Sequence, residues 1–388
     1  REYRLVALFE LWNTIRYFFP YQSLMDRSWN ELLVEYIPRI EAARDAREYH
    51  LTMAELATHL QDSHVVVSSP VLDDYFGRAA APLRVKLVEN ATVIVGLWGE
   101  ATRRKRALQV GDTIVSIDGE PVAARRSRLA RYLPASTPQA LRRKVDRALL
   151  LGPPGSMAVL GIERGDGTKF VARVPRGDVG EPPRQSPVYS VLEQGYGYFD
   201  LTRLNPQELD SAFAAVRDTP ALILDMRGYP RGVFFELAAR LAVRPAVAAR
   251  FERPELHAVE FQTPIVRKFT QTIAPDPRGA YRGKVVMLVN EEAISQSEHT
   301  ALFVEAATDV TFIGSPTNGA NGDVTSVALP GGIDVRFSGH DVRHGDGRQL
   351  QRMGIQPHIV ATPTLAGIRS SRDEVLERAI EFLKASLP

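Results

Sequence analysis

Apolar residues recur three and four positions apart from Arg4 to Phe18, the spacing of one buried helical face, and the pattern stops before Pro20. Ser28-Trp-Asn-Glu31 and Thr52-Met-Ala-Glu55 both read as capping boxes, in which a hydroxyl takes an amide three residues on and a Glu reaches back. Leucines follow each motif, so the first 65 or so residues are expected to be helical with one shared apolar face. The polar cluster Gln61-Asp62-Ser63-His64 closes this segment, and Val65-Val66-Val67 turns to strand character. From Pro82 to Pro175 short β-type runs take over, among them Thr92–Leu97, Thr113–Ile117 and Phe170–Val174. Gly180 to Pro187 contains Pro182 and Pro183 and reads as a linker. Strands and helices then alternate: Tyr196–Leu201, a helix near Pro206–Arg217, Ala221–Asp225, a helix near Val233–Ala242, Val285–Asn290 and a helix from Glu298. That order implies an α/β core with a largely parallel sheet, whose active site gathers where strands end and helices begin.

The expected architecture is therefore α/β and multidomain: an N-terminal helical cap over 1–75, a β domain over 76–178, a linker over 179–187 and an α/β core over 188–388. Its 44% hydrophobic and 24% charged residues are those of a globular protein. With 48 Lys+Arg against 46 Asp+Glu the net charge is +2, which argues against nucleic acid as the main partner. The local basic run Arg103, Arg104, Lys105 and Arg106 reads as a solvated loop. The absence of cysteine excludes disulfides, thiolate metal sites and a cysteine nucleophile. No stretch approaches the ~18 apolar residues of a membrane span. The start at Arg1, with neither an initiator Met nor a signal-type segment, reads as a trimmed chain from which any targeting sequence would already be gone.

Gly111-Asp112-Thr-Ile114-Val-Ser-Ile117-Asp118-Gly119 alternates apolar and polar residues and closes in an Asp-Gly turn. It resembles the Gly-Asp…Ile…Ile-Asp-Gly signature of bacterial PDZ domains, which hold peptide C-termini by strand addition with backbone amides on the carboxylate. Ala79-Ala80-Ala81-Pro82 stands where the Gly-rich carboxylate loop would be, which argues against peptide docking there.

Two strand ends carry the candidate chemistry. Leu222-Ile223-Leu224-Asp225 runs into Met226-Arg227-Gly228-Tyr229-Pro230-Arg231-Gly232, a loop whose amides could face an oxyanion. Pro230 has no N–H, which leaves Arg231 and Gly232 as the better donors. The second strand end leads through Asn290 to Ser295-Gln296-Ser297-Glu298. Ser295-x-x-Glu298 is itself a capping box, yet a serine at a helix start also lies at the positive end of the dipole, with the Gln296 amide beside it. Together, Asp225-Met-Arg227-Gly228 and Ser295-Gln-Ser297-Glu298 resemble the C-terminal-processing (tail-specific) serine peptidases. Gly314-Ser-Pro-Thr317-Asn-Gly319-Ala320-Asn-Gly322 and Gly354-Ile355-Gln356-Pro357 match in order. The resemblance implies a crotonase-like ββα core, Ser295 as nucleophile, an oxyanion hole from Gln296 and the Gly228, Arg231 and Gly232 loop, a polypeptide substrate, no cofactor and no metal. Related enzymes are commonly exported, so a periplasmic or secreted location is expected.

One branch of that family activates its serine with a lysine, but the matching position is Ala320, and no lysine occurs between Lys284 and Lys384. The other branch, resembling the core domains of tricorn protease, uses a Ser-His pair placed like Ser63-His64. The resemblance implies His64 as general base and Ser63 orienting it. A downstream carboxylate would steady Ser63, and at that position this chain has Gln351. His299 is the rival base, one helical turn past Ser295. His340, His344 and His358 lack metal-ligand spacing, and His358 stands where the family has Asp after Pro. A catalytically weak or inactive peptide- or ligand-binding module on the same fold is the alternative, kept open by the uncharged Gln351. A carboxylesterase lacks support, since the Gly-x-Ser-x-Gly elbow is missing around Ser295.

Overall fold

The computed structural model describes residues 2–99, 108–177, 180, 185–255 and 265–387. The basic run at 103–106, and Pro182 and Pro183 of the expected linker, lie outside the described residues. Helices α1 (Glu2–Phe18), α2 (Trp29–Ala42) and α3 (Ala46–Thr58) follow the apolar spacing. Leu8, Leu11 and Ile15 of α1 meet Leu32, Tyr36 and Ile40 of α2 and Tyr49 and Met53 of α3 in one buried cluster. The helix starts differ from those expected. Ser28 sits at the N-cap of α2 without a side-chain cap bond. Helix α3 begins about two turns before Thr52, because the Asp45 carboxylate accepts the Glu48 amide at 2.8 Å. Thr52 then lies inside the helix, its hydroxyl on the Glu48 carbonyl at 2.7 Å. The cap has no core to itself. Its cluster is completed by Leu329, Ile333, Val335 and Phe337 from the far end of the chain.

Strand β1 (Val66–Ser68) leaves the cap, and α4 (Pro70–Phe76) and β2 (Ala79–Ala80) lead into a β-rich unit. There β3 (Leu83–Val88) precedes β4 (Ala91–Leu97) and β5 (Thr113–Ile117), and the latter two coincide closely with expected runs. Asp118 (φ 52°) and Gly119 (φ 82°) turn β5 into β6 (Glu120–Pro121), with both φ positive as a two-residue hairpin turn requires. The β-type reading missed α5 (Val122–Ala130) and α6 (Pro138–Ala148), whose arginines and Lys144 obscure a narrow buried stripe of Leu129, Ala140, Val145 and Ala148. After β7 (Leu151–Gly152), β8 (Met157–Glu163) and β9 (Lys169–Pro175) complete the order β3-β4-β5-β8-β9.

The main sheet of the core is built from β10 (Tyr189–Val191), β11 (Gly197–Asp200), β12 (Ala221–Asp225), β15 (Lys284–Val289), β16 (Val310–Gly314) and β20 (Ile359–Val360), in that order. From β11 onward all neighbours are parallel. Strand β12 is buried along its whole length and β15 from Val285 on, as parallel strands covered on both faces must be. Helices α7 (Leu209–Val216), α8 (Phe234–Ala239) and α9 (Gln296–Ala307) pack on one face, α11 (Glu374–Ser386) on the other, with α10 (Leu365–Arg369) before it. Strands β13 (Ala246–Glu255), β14 (Ile265–Ile273) and β19 (Asp341–His344) make one antiparallel sheet. Strands β17 (Val324–Leu329) and β18 (Ile333–Ser338) make another with β1. Two registers set up the site. Asp225 of β12 lies beside Leu288 of β15, so the two candidate strand ends are neighbours. Val66 of β1 lies opposite Arg336 of β18, and the same register two residues further brings His64 beside Ser338.

Candidate active site

Ser295 links β15 to α9 with φ 58° and ψ −119°, a conformation that a side-chain-bearing residue occupies only at a cost of order 1–3 kcal/mol. Its side chain makes no cap bond, so the expected capping box does not form. Glu298, the other half of that box, is instead turned inward and fully buried. It accepts hydrogen bonds from Thr317 Oγ1 at 2.5 Å, the Gly319 amide at 2.7 Å and the Ala320 amide at 2.9 Å. Burial pushes its carboxyl up to about 7 against those three donors and the Ser295 backbone. The Ser295 amide donates to the Ala320 carbonyl at 2.8 Å. Ala320, in the lysine's place, thus lies in the loop that holds the backbone of Ser295. The first α9 amide to reach an acceptor four residues back is that of His299, onto the Ser295 carbonyl at 2.9 Å, which leaves Gln296 ahead of the ladder at the positive end of the helix.

The loop after β12 comes up beside that helix start. Ser297 Oγ donates to the Gly228 carbonyl at 2.7 Å, and Gly232 faces the Gln296 side chain. A Cβ on Gly228 would approach Thr202 Cγ2 to 2.8 Å, so the close turn needs glycine there. Arg231 is exposed on the same loop. Asp225 braces the loop: it receives Arg227 Nε at 2.9 Å, Arg227 Nη2 at 2.7 Å and the Tyr198 hydroxyl at 2.8 Å. Burial alone would raise this carboxyl, but Arg227 and Tyr198 hold it below the ordinary range. The Asp-x-Arg motif therefore braces the loop that follows it.

His64 lies on a buried polar cluster. Its Nδ1 is 2.8 Å from Ser338 Oγ, and Ser338 Oγ donates to Asp62 Oδ1 at 3.0 Å. Asp62, fully buried, also accepts the Ser338 amide at 2.8 Å, the His64 amide at 3.0 Å and Gln351 Nε2 at 3.2 Å. Ser63 faces elsewhere: its Oγ accepts the Ser136 amide at 2.9 Å, while its own amide donates to Ser136 Oγ at 2.8 Å. The hydrogen bonds differ from the expected arrangement, in which Ser63 orients His64 and Gln351 steadies Ser63. Both residues are in the cluster, but Ser338 holds the ring and Gln351 serves Asp62. Lys144 of α6 lies half-buried alongside, donating to the Val65 carbonyl at 3.0 Å, and desolvation pushes its ammonium down to about 8. Burial, with a contribution from Lys144, holds the His64 imidazole below its ordinary value against the charges of Asp62 and Asp323.

The rival base is committed elsewhere. His299 Nε2 is 2.7 Å from Gln271 Oε1, an acceptor, and its Nδ1 is 3.3 Å from Asn321 Nδ2, a donor, so both nitrogens are engaged as a neutral ring. Burial pushes that imidazole down to about 4. His358, in the family's Asp position, accepts the Phe312 amide on Nδ1 at 2.9 Å, as a carboxylate there would. Among the described residues no group of three or more His, Asp or Glu is placed to hold a metal.

Residues 195–361 match the model of peptidase family S41, and residues 92–175 match that of the N-terminal domain of a Bacteroidetes S41 family. Both matches are to peptidase family S41, a family of serine-type peptidases. Mature CPAF complexed with lactacystin superposes with a TM-score of 0.74 at 16% identity, over 99% of this chain and 97% of that one. A putative peptidase from Parabacteroides merdae gives 0.60 at 15% identity, over 98% and 96%. The photosystem II D1 C-terminal processing protease gives 0.53 at 18%, over 95% and 96%. At these identities the likeness is one of fold. A curated protein of Chlamydia pneumoniae, CPj1016/CpB1054, is 27% identical over 103 residues, which are 26% of this chain and 17% of that protein.

Proposed function

We propose that the chain is a serine endopeptidase that cleaves polypeptides through an acyl-enzyme on Ser295, with His64 as general base. The observation that carries this is the backbone of Ser295. A serine held at positive φ between a buried parallel strand and a helix, with its hydroxyl released from capping, has the geometry of a nucleophile elbow without the Gly-x-Ser-x-Gly sequence. His64 takes the hydroxyl proton as Ser295 Oγ attacks the scissile carbonyl. The Gln296 amide, with amides of the Gly228, Arg231 and Gly232 loop, receives the oxyanion. His64 then protonates the leaving amine, and water repeats the sequence to release the acyl group.

The unit at 76–178 is read as PDZ-like, and it serves the site rather than peptide capture. Helix α6 packs against β3, and its Asp146 takes the Leu87 amide at 3.3 Å and pairs with Arg126 at 2.6 Å. The same helix and the turn before it brace the nucleophile region through Arg143 to Glu292 at 2.8 Å and Thr137 Oγ1 to the Asn318 carbonyl at 3.0 Å. The uncharged Gln351 favoured a non-catalytic binding module. Asp62 supplies the missing charge within the same cluster, which weakens that alternative. The test is covalent labelling by a fluorophosphonate. Wild type should label and Ser295→Ala should not, and equal labelling of the two removes Ser295 as nucleophile.

A further inference from the structure

The buried set behind His64 differs from the one the family pattern implies, and its hydrogen bonds dictate a direction. Asp62 can only accept, so the Ser338 hydroxyl must spend its one proton on Asp62 Oδ1 at 3.0 Å. Ser338 Oγ is then left with lone pairs toward His64 Nδ1 at 2.8 Å, and that nitrogen must carry the proton. The ring is fixed as the Nδ1–H tautomer, which leaves Nε2 as the acceptor. When Nε2 gains a proton, the new charge sits one hydroxyl away from a carboxylate that is fully buried and fixed by three further N–H donors. We propose that Ser338 and Asp62 are the positioning residues of the base: Ser338 selects the tautomer of His64, and Asp62 counter-charges the imidazolium through it. This rests on the reading of His64 as general base.

The chain's own sequence makes the arrangement possible. Pairing of β1 with β18 puts Ser338 opposite His64, and the turn at 62–65, closed by Val65 N to the Asp62 carbonyl at 3.1 Å, folds the carboxylate back under both. Ser63 cannot do this work, being paired reciprocally with Ser136. The charged groups that act on the ring are Asp62, Lys144 from α6 and the exposed Asp323 from the loop before β17. They act in opposite senses, which gives the proposal a signature that loss of structure would not imitate. Asp62 and Asp323 favour the imidazolium and Lys144 disfavours it.

The experiment is the pH dependence of labelling by a fluorophosphonate, which requires an activated Ser295 but no knowledge of the natural substrate. Ser338→Ala and Asp62→Asn, each close in shape to the original, should lower the labelling rate constant by about 10²–10⁴-fold, as loss of the orienting group does in other triads. Asp62→Asn should also move the acid limb of the profile to lower pH, while Lys144→Met moves it to higher pH. Circular dichroism and melting identify any variant that fails to fold. Should Asp62→Asn not fold, Ser338→Ala, which deletes one oxygen, still decides the matter. Wild-type labelling by folded Ser338→Ala and Asp62→Asn, with an unshifted limb and a dead His64→Ala, would overturn the relay and leave the base standing. Wild-type labelling by His64→Ala would remove the base, and the relay with it.

Discussion

Ser295, its helix and the loop that receives its amide all come from residues 284–320, whereas His64 is held by Asp62 and Ser338, and its turn and cluster draw further on groups at 136, 144 and 351. The nucleophile side is a local construction. A buried strand, a strained turn and a helix follow one another, and Glu298 reaches only as far as Ala320 to lock them. The base side is assembled by register and docking. A slip of one residue between β1 and β18 would turn Ser338 to the other face of its strand and leave His64 without a partner. Local geometry survives changes elsewhere; assembled geometry depends on every surface that meets there, including α6 of the insert.

The largest effect tests whether the two sides act as one machine. Ser295→Ala and His64→Ala should each lower kcat on an unfolded polypeptide such as casein by about 10⁴–10⁶-fold, and the double variant by no more than the worse single one. Multiplicative losses would mean that the two residues contribute to separate functions.

A second prediction concerns the lock on the nucleophile side. Glu298 has its folded carboxyl raised to about 7, against about 4.3 for an exposed Glu. The folded state therefore binds the proton more tightly than the unfolded state between those values. Its contribution is intact below about pH 4 and is lost as pH rises toward 7, a change on the order of 3 kcal/mol at 1.36 kcal/mol per unit. Glu298→Gln has no such titration. Urea unfolding of both proteins should show wild type losing ground to the variant by roughly that amount from pH 4.5 to 7.5, and a constant difference would refute it. Because the variant also turns an amide N–H₂ toward the donors of Thr317, Gly319 and Ala320, it should be the less stable protein at acid pH.

The same contrast explains what was legible in the sequence. Strands such as Ala221–Asp225 and Thr113–Ile117 carry their pattern within themselves, and the neighbouring strand ends at Asp225 and Ser295 follow from βαβ order. Asp62 was visible as part of the Gln61–His64 cluster, although its role was not. Ser338 had no local signal at all, since only antiparallel pairing brings it to His64, 274 residues away, and gives it a function. Lys144 sat on a helix hidden by its own charges. The capping boxes misled for a common reason: a Glu or hydroxyl three residues from a partner matches the motif whether it faces solvent or, like Glu298, the interior.

Gln351 sharpens the comparison at a smaller scale. Had it supported Ser63, restoring a carboxylate by Gln351→Glu would preserve or raise activity. It lies instead with Nε2 toward Asp62 Oδ1 at 3.2 Å, and its buried Oε1 has no partner. A second carboxylate there would face the first, and one of them would have to take up a proton or move. Gln351→Glu should therefore lower kcat/KM at neutral pH by about tenfold or more, one pKa unit's worth of repulsion. Gln351→Met, which only removes a donor, should cost less. The reverse ranking would place the Gln351 side chain against Ser63 after all.

The smallest effect belongs to a residue on neither side. His358 differs from the family's Asp, yet its Nδ1 accepts the Phe312 amide at 2.9 Å, and its ring stacks on Phe312 with centroids 5.6 Å apart. An aspartate one residue before β20 can accept the same amide, and the exposed position charges little for its ionisation. His358→Asp should change unfolding free energy by no more than about 0.5 kcal/mol, whereas His358→Ala, which orphans the Phe312 amide at the edge of the parallel sheet, should cost about 1–2 kcal/mol. Neither should alter fluorophosphonate labelling, because the bond holds β16 and β20 and touches no residue that bears on Ser295 or His64. Urea unfolding of the two variants decides it: equal destabilisation by Asp and Ala would mean that the imidazole acts through its stacking rather than as an acceptor.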